Sequence, residues 1–354
     1  MTGPDHRPTP HLVVDADLLA ANVAAMARFA AERGLALRPH AKTHKSPAVA
    51  RLQLEAGAAG LTVATVSEAE VFAAAGCTDL FVAYPLWVDA AKGARLRDLA
   101  ASATVSVGVD SVEGARALAA QLPGAAVLVE VDSGQHRSGV VPSEAGALAE
   151  GAARAGLDVR GVFTFPGHSY APGVSADVAA EEAAALDTAA ASLAEHGVEP
   201  VVVSGGSTPS AAASDAGVLT ELRPGVYVFG DAQQWELGTV EPGTIALSCV
   251  ATVVSHAGGN LVLDSGSKAL GADRAAWATG YGRLLDHPDA RITSLSEHHA
   301  VVAWPDQHLP EVGSRLRVVP NHVCTAVNLA DELVVARGGE TVDVWPVAAR
   351  GANT

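Results

Sequence analysis

The sequence predicts a (β/α)8 TIM-type barrel followed by a smaller, mainly β domain. Over residues 11–242, short β-branched runs alternate with Ala-rich stretches whose apolar residues recur at three- and four-residue spacing, in about eight strand–helix units. Over residues 243–350 the helical patterns stop, and strand-like runs are separated by Gly, Asp and Pro turns. A chain of 354 residues is long enough for both domains. The N-terminal residues are candidates to join the second domain.

Taken in order, HLVVD (11–15) reads as a strand, and ADLLAANVAAMARFAAERG (16–34) as a helix closed by Gly34. ALRPHAK, LTVATV, DLFVAYPL, TVSVGVD, AVLVEVD, VRGVFTF and VEPVVVSGGST then read as further strands, each leading into a helical stretch. An open doubly wound sheet would usually need fewer units, and a barrel of this kind places its chemistry just after the strand ends. IALSCVATVVSHAGGNLVLDSG, ITSLSEHHAVVAWP, SRLRVVPNHV and ELVVARGGETVDVWPVA supply the strands of the second domain.

Composition narrows the function classes. Apolar residues make up 49% of the chain, and 23 Lys and Arg stand against 39 Asp and Glu, a net charge of −16. That balance argues against nucleic acid or an anionic membrane as partner. Cys77, Cys249 and Cys324 are too few for a disulfide framework and fit a reducing, cytoplasmic setting. We expect no secretory signal and no transmembrane helix.

Five segments carry candidate chemistry. LRPHAKTHKS (37–46) gathers Arg38, His40, Lys42, His44 and Lys45, with Lys42 at a strand end. A lysine there can form a Schiff base if it is neutral part of the time. Arg38 and Lys45 are candidates to depress its pKa or to be solvated. VEVDSGQHRSG (129–139) puts Arg137 after a strand, where it can hold a phenolate or carboxylate. VVVSGGSTPS (201–210) runs from a strand into a small turn, and the bare N–H groups around Gly206 with the hydroxyls of Ser207 and Thr208 suit a phosphate. ELRPGVYVFGD (221–231) reads as a turn at Gly225 with Tyr227 either packed or facing the site. PNHVCTAVN (320–328) holds His322 and Cys324 at i and i+2, which on a strand share one face and can bind a metal such as Zn²⁺. Two protein ligands leave positions open, the pattern of a catalytic metal.

Together these segments resemble the fold-type III pyridoxal 5'-phosphate enzymes with the alanine racemase barrel, and within them the D-serine dehydratase and D-threonine aldolase family. The resemblance runs along nearly the whole chain. RPHAKTHK is similar to the cofactor-lysine signature, which implies that Lys42 is the Schiff-base lysine beside His40. VDSGQHRSG resembles the arginine segment, with Arg137 on the phenolate side. VSGGST, ELRPGVYVF and the GHSY of residues 167–170 resemble the phosphate and pocket segments, which implies Gly206, Ser207, Thr208, Gly225, Tyr227 and Tyr170 as cofactor contacts. PNHVCTAVNLAD resembles the C-terminal metal motif. Many relatives have a histidine where this chain reads Phe165–Pro166, and Ala326 interrupts a segment that often holds proline. His168, His44 or a metal-bound water is left as a second acid/base.

The resemblance implies a lyase acting on small D-β-hydroxy-α-amino acids. His and Cys as ligands point to Zn²⁺ and the dehydratase branch, which includes enzymes for D-3-hydroxyaspartate, with α,β-elimination to a 2-oxo acid and ammonia. A D-threonine aldolase, with Mn²⁺ or another divalent metal, is the alternative. A racemase would need an opposing base, for which Tyr281 is the one tyrosine in the β region. A non-catalytic cofactor-binding protein would not need the β domain and metal pair. The family implies a homodimer.

Overall fold

The computed structural model describes residues 7–306 and 308–354. The chain forms two compact units. One comprises Met26–Lys42, Ala50–Gly225 and Ala352–Thr354; the other comprises the described residues of Met1–Ala25 with Thr43–Val49 and Val226–Gly351.

The first unit is built on eight parallel strands. Around the sheet these are Ala36–Leu37, Glu221–Leu222, Val202–Gly205, Asp158–Phe163, Ala126–Glu130, Thr104–Val109, Asp79–Pro85 and Leu61–Val63. A parallel bridge between His40 and Thr62 joins the two ends, so the sheet closes. Runs such as Leu61–Val63 and Val127–Glu130 are buried without alternation, as expected for strands covered on both faces. Phe81 and Phe163 meet edge to face, 5.0 Å between centroids, and pack with Leu128 in the barrel core. The helices start where small polar residues allow it: Thr65, Asp89 and Ser111 accept from the N–H groups of Glu68, Lys92 and Gly114. Each cap follows closely on a strand, which leaves short loops at the strand ends.

One barrel strand differs from the sequence expectation. HLVVD belongs to the second unit, pairing antiparallel with Leu247–Ser255 and parallel with Glu332–Arg337. The missing barrel member is Glu221–Leu222, within the segment read as a turn. At two residues it is too short to show periodicity. The Gly-Gly turn therefore follows the seventh barrel strand in chain order, not the eighth.

In the second unit, six strands form a ring: Leu261–Leu263, Ala300–Ala303, His287–Leu295, Gly282–Leu284, Arg315–Pro320 and Leu247–Ser255, the last pairing back to the first. His11–Asp15, Glu332–Arg337 and Glu340–Pro346 extend it. Leu247, Cys249, Ala251 and Val253 alternate inward as a strand requires. Burial pushes the Cys249 thiol up to about 12, so it packs as a small apolar group. Among the described residues, no helix is long and apolar enough to cross a membrane.

His322 and Cys324 are not on a strand. Strand Arg315–Pro320 ends at a proline, which has no N–H to continue the ladder. His322, in extended conformation (φ −127°, ψ 105°), is the N-cap of the short helix Val323–Leu329, and Cys324 lies in its first turn.

Candidate active site

In the barrel unit the chain turns sharply after Ala36–Leu37. Arg38 donates through Nε to Glu221 (2.6 Å) and through its two terminal nitrogens to Asp79 (2.7 and 3.1 Å). Against the desolvation of burial, these partners hold the guanidinium above its ordinary pKa. Arg38 is therefore an ion-paired structural residue, neither solvated nor a free positive charge. The His40 N–H donates to Pro224 O (3.0 Å), and the Lys42 N–H reaches His40 Nδ1 at 3.4 Å. These bonds fix the half-buried Lys42 at the strand end.

Lys42 opens into a cavity of about 560 Å³ whose lining includes His40, Tyr84, Asp110, Arg137, Phe165 and Arg223. Lys42 Nζ lies 5.4 Å from the Phe165 ring centre and Arg137 Cζ 5.2 Å from it. Phe165 thus has two basic side chains against its ring. Arg137 stands on a loop organised by Asp132, which accepts from the N–H groups of Gly134 (2.9 Å) and His136 (3.0 Å) and from His136 Nδ1 (2.7 Å). Gly139 closes that loop at φ +98°, where a Cβ would lie 2.7 Å from the Asp132 N.

Arg223 is the cavity residue that sequence reasoning passed over. It is 5% exposed, donates to Ser204 Oγ and Thr164 O, and lies over the Phe81 and Phe163 rings. Burial pulls its pKa below the usual arginine range despite Glu221, Glu182 and Glu130 nearby. Burial also raises Glu130, which accepts from Ser138 Oγ (2.9 Å). The two-residue strand Glu221–Leu222 before it is too short to be read from the sequence, so no signal pointed to Arg223.

The turn after Val202–Gly205 has no bare N–H at the two positions expected. Gly206 N–H donates to Glu182 Oε1 (2.6 Å), and Ser207 N–H donates to Ser210 Oγ (3.0 Å). Ser207 Oγ lies 2.9 Å from Ser169 Oγ and 2.8 Å from Ser210 Oγ. What this turn offers a phosphate is a buried cluster of hydroxyls that can reorient. Gly206 is required for its backbone, at φ +79° with a Cβ only 2.2 Å from Leu222 Cδ1. Glu182 is fully buried, its Oε2 has no hydrogen-bond partner among the described residues, and burial raises its pKa to about 7. Thr208 is half-buried beside this turn, and Gly225 is partly exposed after Pro224.

His168 and Tyr170, in the turn after Asp158–Phe163, do not line the Lys42 cavity. His168 Nε2 is 3.1 Å from Glu181 Oε2, and Tyr170 stacks at 6.3 Å on Phe165.

The second unit holds the sulfur–nitrogen pair. Cys324 Sγ donates to Thr43 Oγ1 (3.3 Å), and His322 Nδ1 lies 3.6 Å from Asp231 Oδ2. In its thiolate form, rather than as a thiol donor, Cys324 would push the His322 pKa well above the usual imidazole value against the effect of burial, with Asp231 adding to it. His44 is fully buried and accepts from the Ser46 N–H (3.1 Å); Lys45 is buried at φ +47° rather than solvated. Tyr227 is buried, and Tyr281 carries Arg274 over its ring at 5.0 Å.

These residues fit the groups the sequence implies. A cavity with one lysine, two arginines and a histidine against one aspartate suits an anionic aromatic cofactor. Among the described residues, no group of three or more His, Cys, Asp or Glu is placed to hold a metal. One nitrogen and one thiol therefore suit only an open site, completed by water or substrate.

Two domain families match the chain: the alanine racemase N-terminal domain over residues 14–233, and a serine dehydratase domain over residues 246–336. The chain is 37% identical to the D-threonine aldolase of an Arthrobacter species, over 97% of this chain and 93% of that one. It is 36% identical to the D-threo-3-hydroxyaspartate dehydratase of Delftia sp. strain HT23, over 89% and 90%. A solved structure of that D-threo-3-hydroxyaspartate dehydratase, a cysteine-to-alanine mutant in the metal-free form, superposes with a TM-score of 0.89 at 33% identity, over 96% of this chain and 97% of that one.

Proposed function

We propose, on the premise that this chain belongs to the alanine racemase N-terminal domain family and carries a serine dehydratase-type domain behind it, that it is a D-serine dehydratase-like enzyme. It is a pyridoxal phosphate-dependent lyase for D-β-hydroxy-α-amino acids; two of its relatives are by name a D-threonine aldolase and a D-threo-3-hydroxyaspartate dehydratase. The finer reading is elimination of water to give a 2-oxo acid and ammonia. One observation carries it: the His322–Cys324 pair, whose thiol donor favours zinc over a more ionic metal. The relative described as metal-free with its cysteine replaced is a dehydratase.

The residues divide the work as follows. Arg137 and Arg223 provide cationic walls for the cofactor's phenolate and ring, and the Ser207 cluster with Thr208 receives its phosphate. Lys42 Nζ would hold the cofactor, and in its neutral form it would take the Cα proton of the substrate. His322 and Cys324 would hold the metal. When bound, the cofactor ring supplies an electron sink for charge at Cα, and the metal supplies a Lewis acid for the departing hydroxyl. His168 is a weaker candidate for a base, since its ring nitrogen faces Glu181. A homodimer and a cytoplasmic setting are part of the same reading.

The aldolase alternative rests on the 37% identity to the Arthrobacter enzyme. There the hydroxyl proton is removed, Cα–Cβ breaks, and glycine and an aldehyde form.

Chelation tests the metal assignment. Stripping the holoenzyme, with metal loss verified by elemental analysis, is expected to lower D-serine turnover by on the order of 10²-fold or more. Zn²⁺ restores it better than Mn²⁺. Undiminished turnover without metal contradicts the assignment.

A further inference from the structure

Asp231 is 1% exposed and makes more contacts than a helix cap needs. As N-cap of Ala232–Glu236, its Oδ1 accepts from the Gln234 N–H (2.8 Å). A serine could do that much. Its second oxygen, Oδ2, accepts from the Val323 N–H (3.2 Å), the first residue of the helix that His322 caps. The same Oδ2 lies 3.6 Å from His322 Nδ1. The surroundings are held as well: Gln233 N–H donates to Asn321 O (3.3 Å), and Asn321 Nδ2 donates to Gly280 O (2.7 Å) and Asp273 O (3.2 Å). One buried carboxylate therefore faces both the backbone and the ring of the His322 segment.

We propose that Asp231 is a positioning residue for the metal pair: its carboxylate, 3.6 Å from His322 Nδ1, favours the tautomer with the proton on Nδ1 and so leaves Nε2 as the nitrogen that binds metal. The inference rests on the metal reading above. A neutral imidazole has one donor and one lone pair, and the partner on one nitrogen decides which is which. A carboxylate at Nδ1 sets the tautomer, fixes the ring and raises its basicity, and loss of such a partner typically costs 10- to 100-fold in metal affinity. Asp231 does this from within an element that also anchors the helix bearing Cys324. Nitrogen and sulfur are thus held from one point.

The test uses full-length protein and Zn²⁺ alone, in competition with a chromophoric chelator. Asp231→Ser keeps the cap to Gln234, and Asp231→Asn keeps the shape. Each is expected to bind Zn²⁺ about 10- to 100-fold more weakly than wild type while still unfolding in one cooperative transition in the absence of metal. His322→Ala is the reference. If wild type and His322→Ala bind alike, the metal reading fails and takes the inference with it. If His322→Ala loses binding while both Asp231 variants stay within twofold of wild type, only the inference fails. Should the variants not fold, ¹⁵N-histidine NMR of zinc-loaded wild type decides: Nδ1–H with metal on Nε2 is expected, and metal on Nδ1 overturns the proposal.

Discussion

Lys42→Ala is expected to lower D-serine elimination by on the order of 10³- to 10⁴-fold, the loss of a positioned general base. The variant should also lose the visible absorbance that the cofactor shows when linked to the protein without substrate. Lys42 is half-buried, held at a strand end by backbone bonds around His40, and opens into a cavity lined by Arg137, Asp110 and Phe165. Among the described residues, no second lysine lines that cavity to take over the proton. Lys42→Arg keeps the charge but presents a guanidinium that stays protonated, and it should fail as badly. Rates within tenfold of wild type in either variant, or an unchanged visible band in Lys42→Ala, would remove Lys42 from the chemistry.

The second large effect is on stability. Glu182 is fully buried, with one oxygen on the Gly206 N–H and the other without a hydrogen-bond partner among the described residues, and its pKa is raised to about 7. The folded chain therefore holds a proton there that the unfolded chain, near the usual carboxyl value, has released. Stability from this group is present below about pH 4.5 and lost as pH rises through 7, a difference on the order of 3 kcal/mol. Glu182→Gln keeps an oxygen for Gly206 and has no proton to lose. Urea unfolding of both proteins at pH 5 and pH 8 should show the wild type losing more stability than the variant across that interval. Equal losses would mean that Glu182 is ionised throughout.

Much of this was legible in the sequence, for stated physical reasons. Strands covered on both faces appear as unbroken apolar runs, and capping residues three positions before Glu68, Lys92 and Gly114 mark the helix starts. The RPHAKTHK motif placed His40 and Lys42 beside the cavity in which Arg137 also stands. Pairing partners were less visible. HLVVD has the same local pattern whether its neighbours are barrel strands or Leu247–Ser255, and only long-range hydrogen bonds distinguish them. Glu221–Leu222 is too short for any periodic signal, and Arg223 was hidden with it. The strand reading of His322 and Cys324 failed at Pro320, where the ladder ends, and the helix capped by His322 begins at Val323. The N–H groups of the Gly-Gly turn looked bare because Glu182, which takes one of them, lies on a helix two dozen positions earlier. Asp231 escaped notice because an aspartate before a helix already has a sufficient role as a cap.

The central claim is metal-assisted β-elimination, and product identity tests it most directly. Zinc-loaded enzyme is incubated with D-serine, and the products are quantified by mass spectrometry. The account predicts pyruvate and ammonia in equal amounts, with no glycine. Glycine with formaldehyde as the main products would contradict it and place the chain with the aldolases.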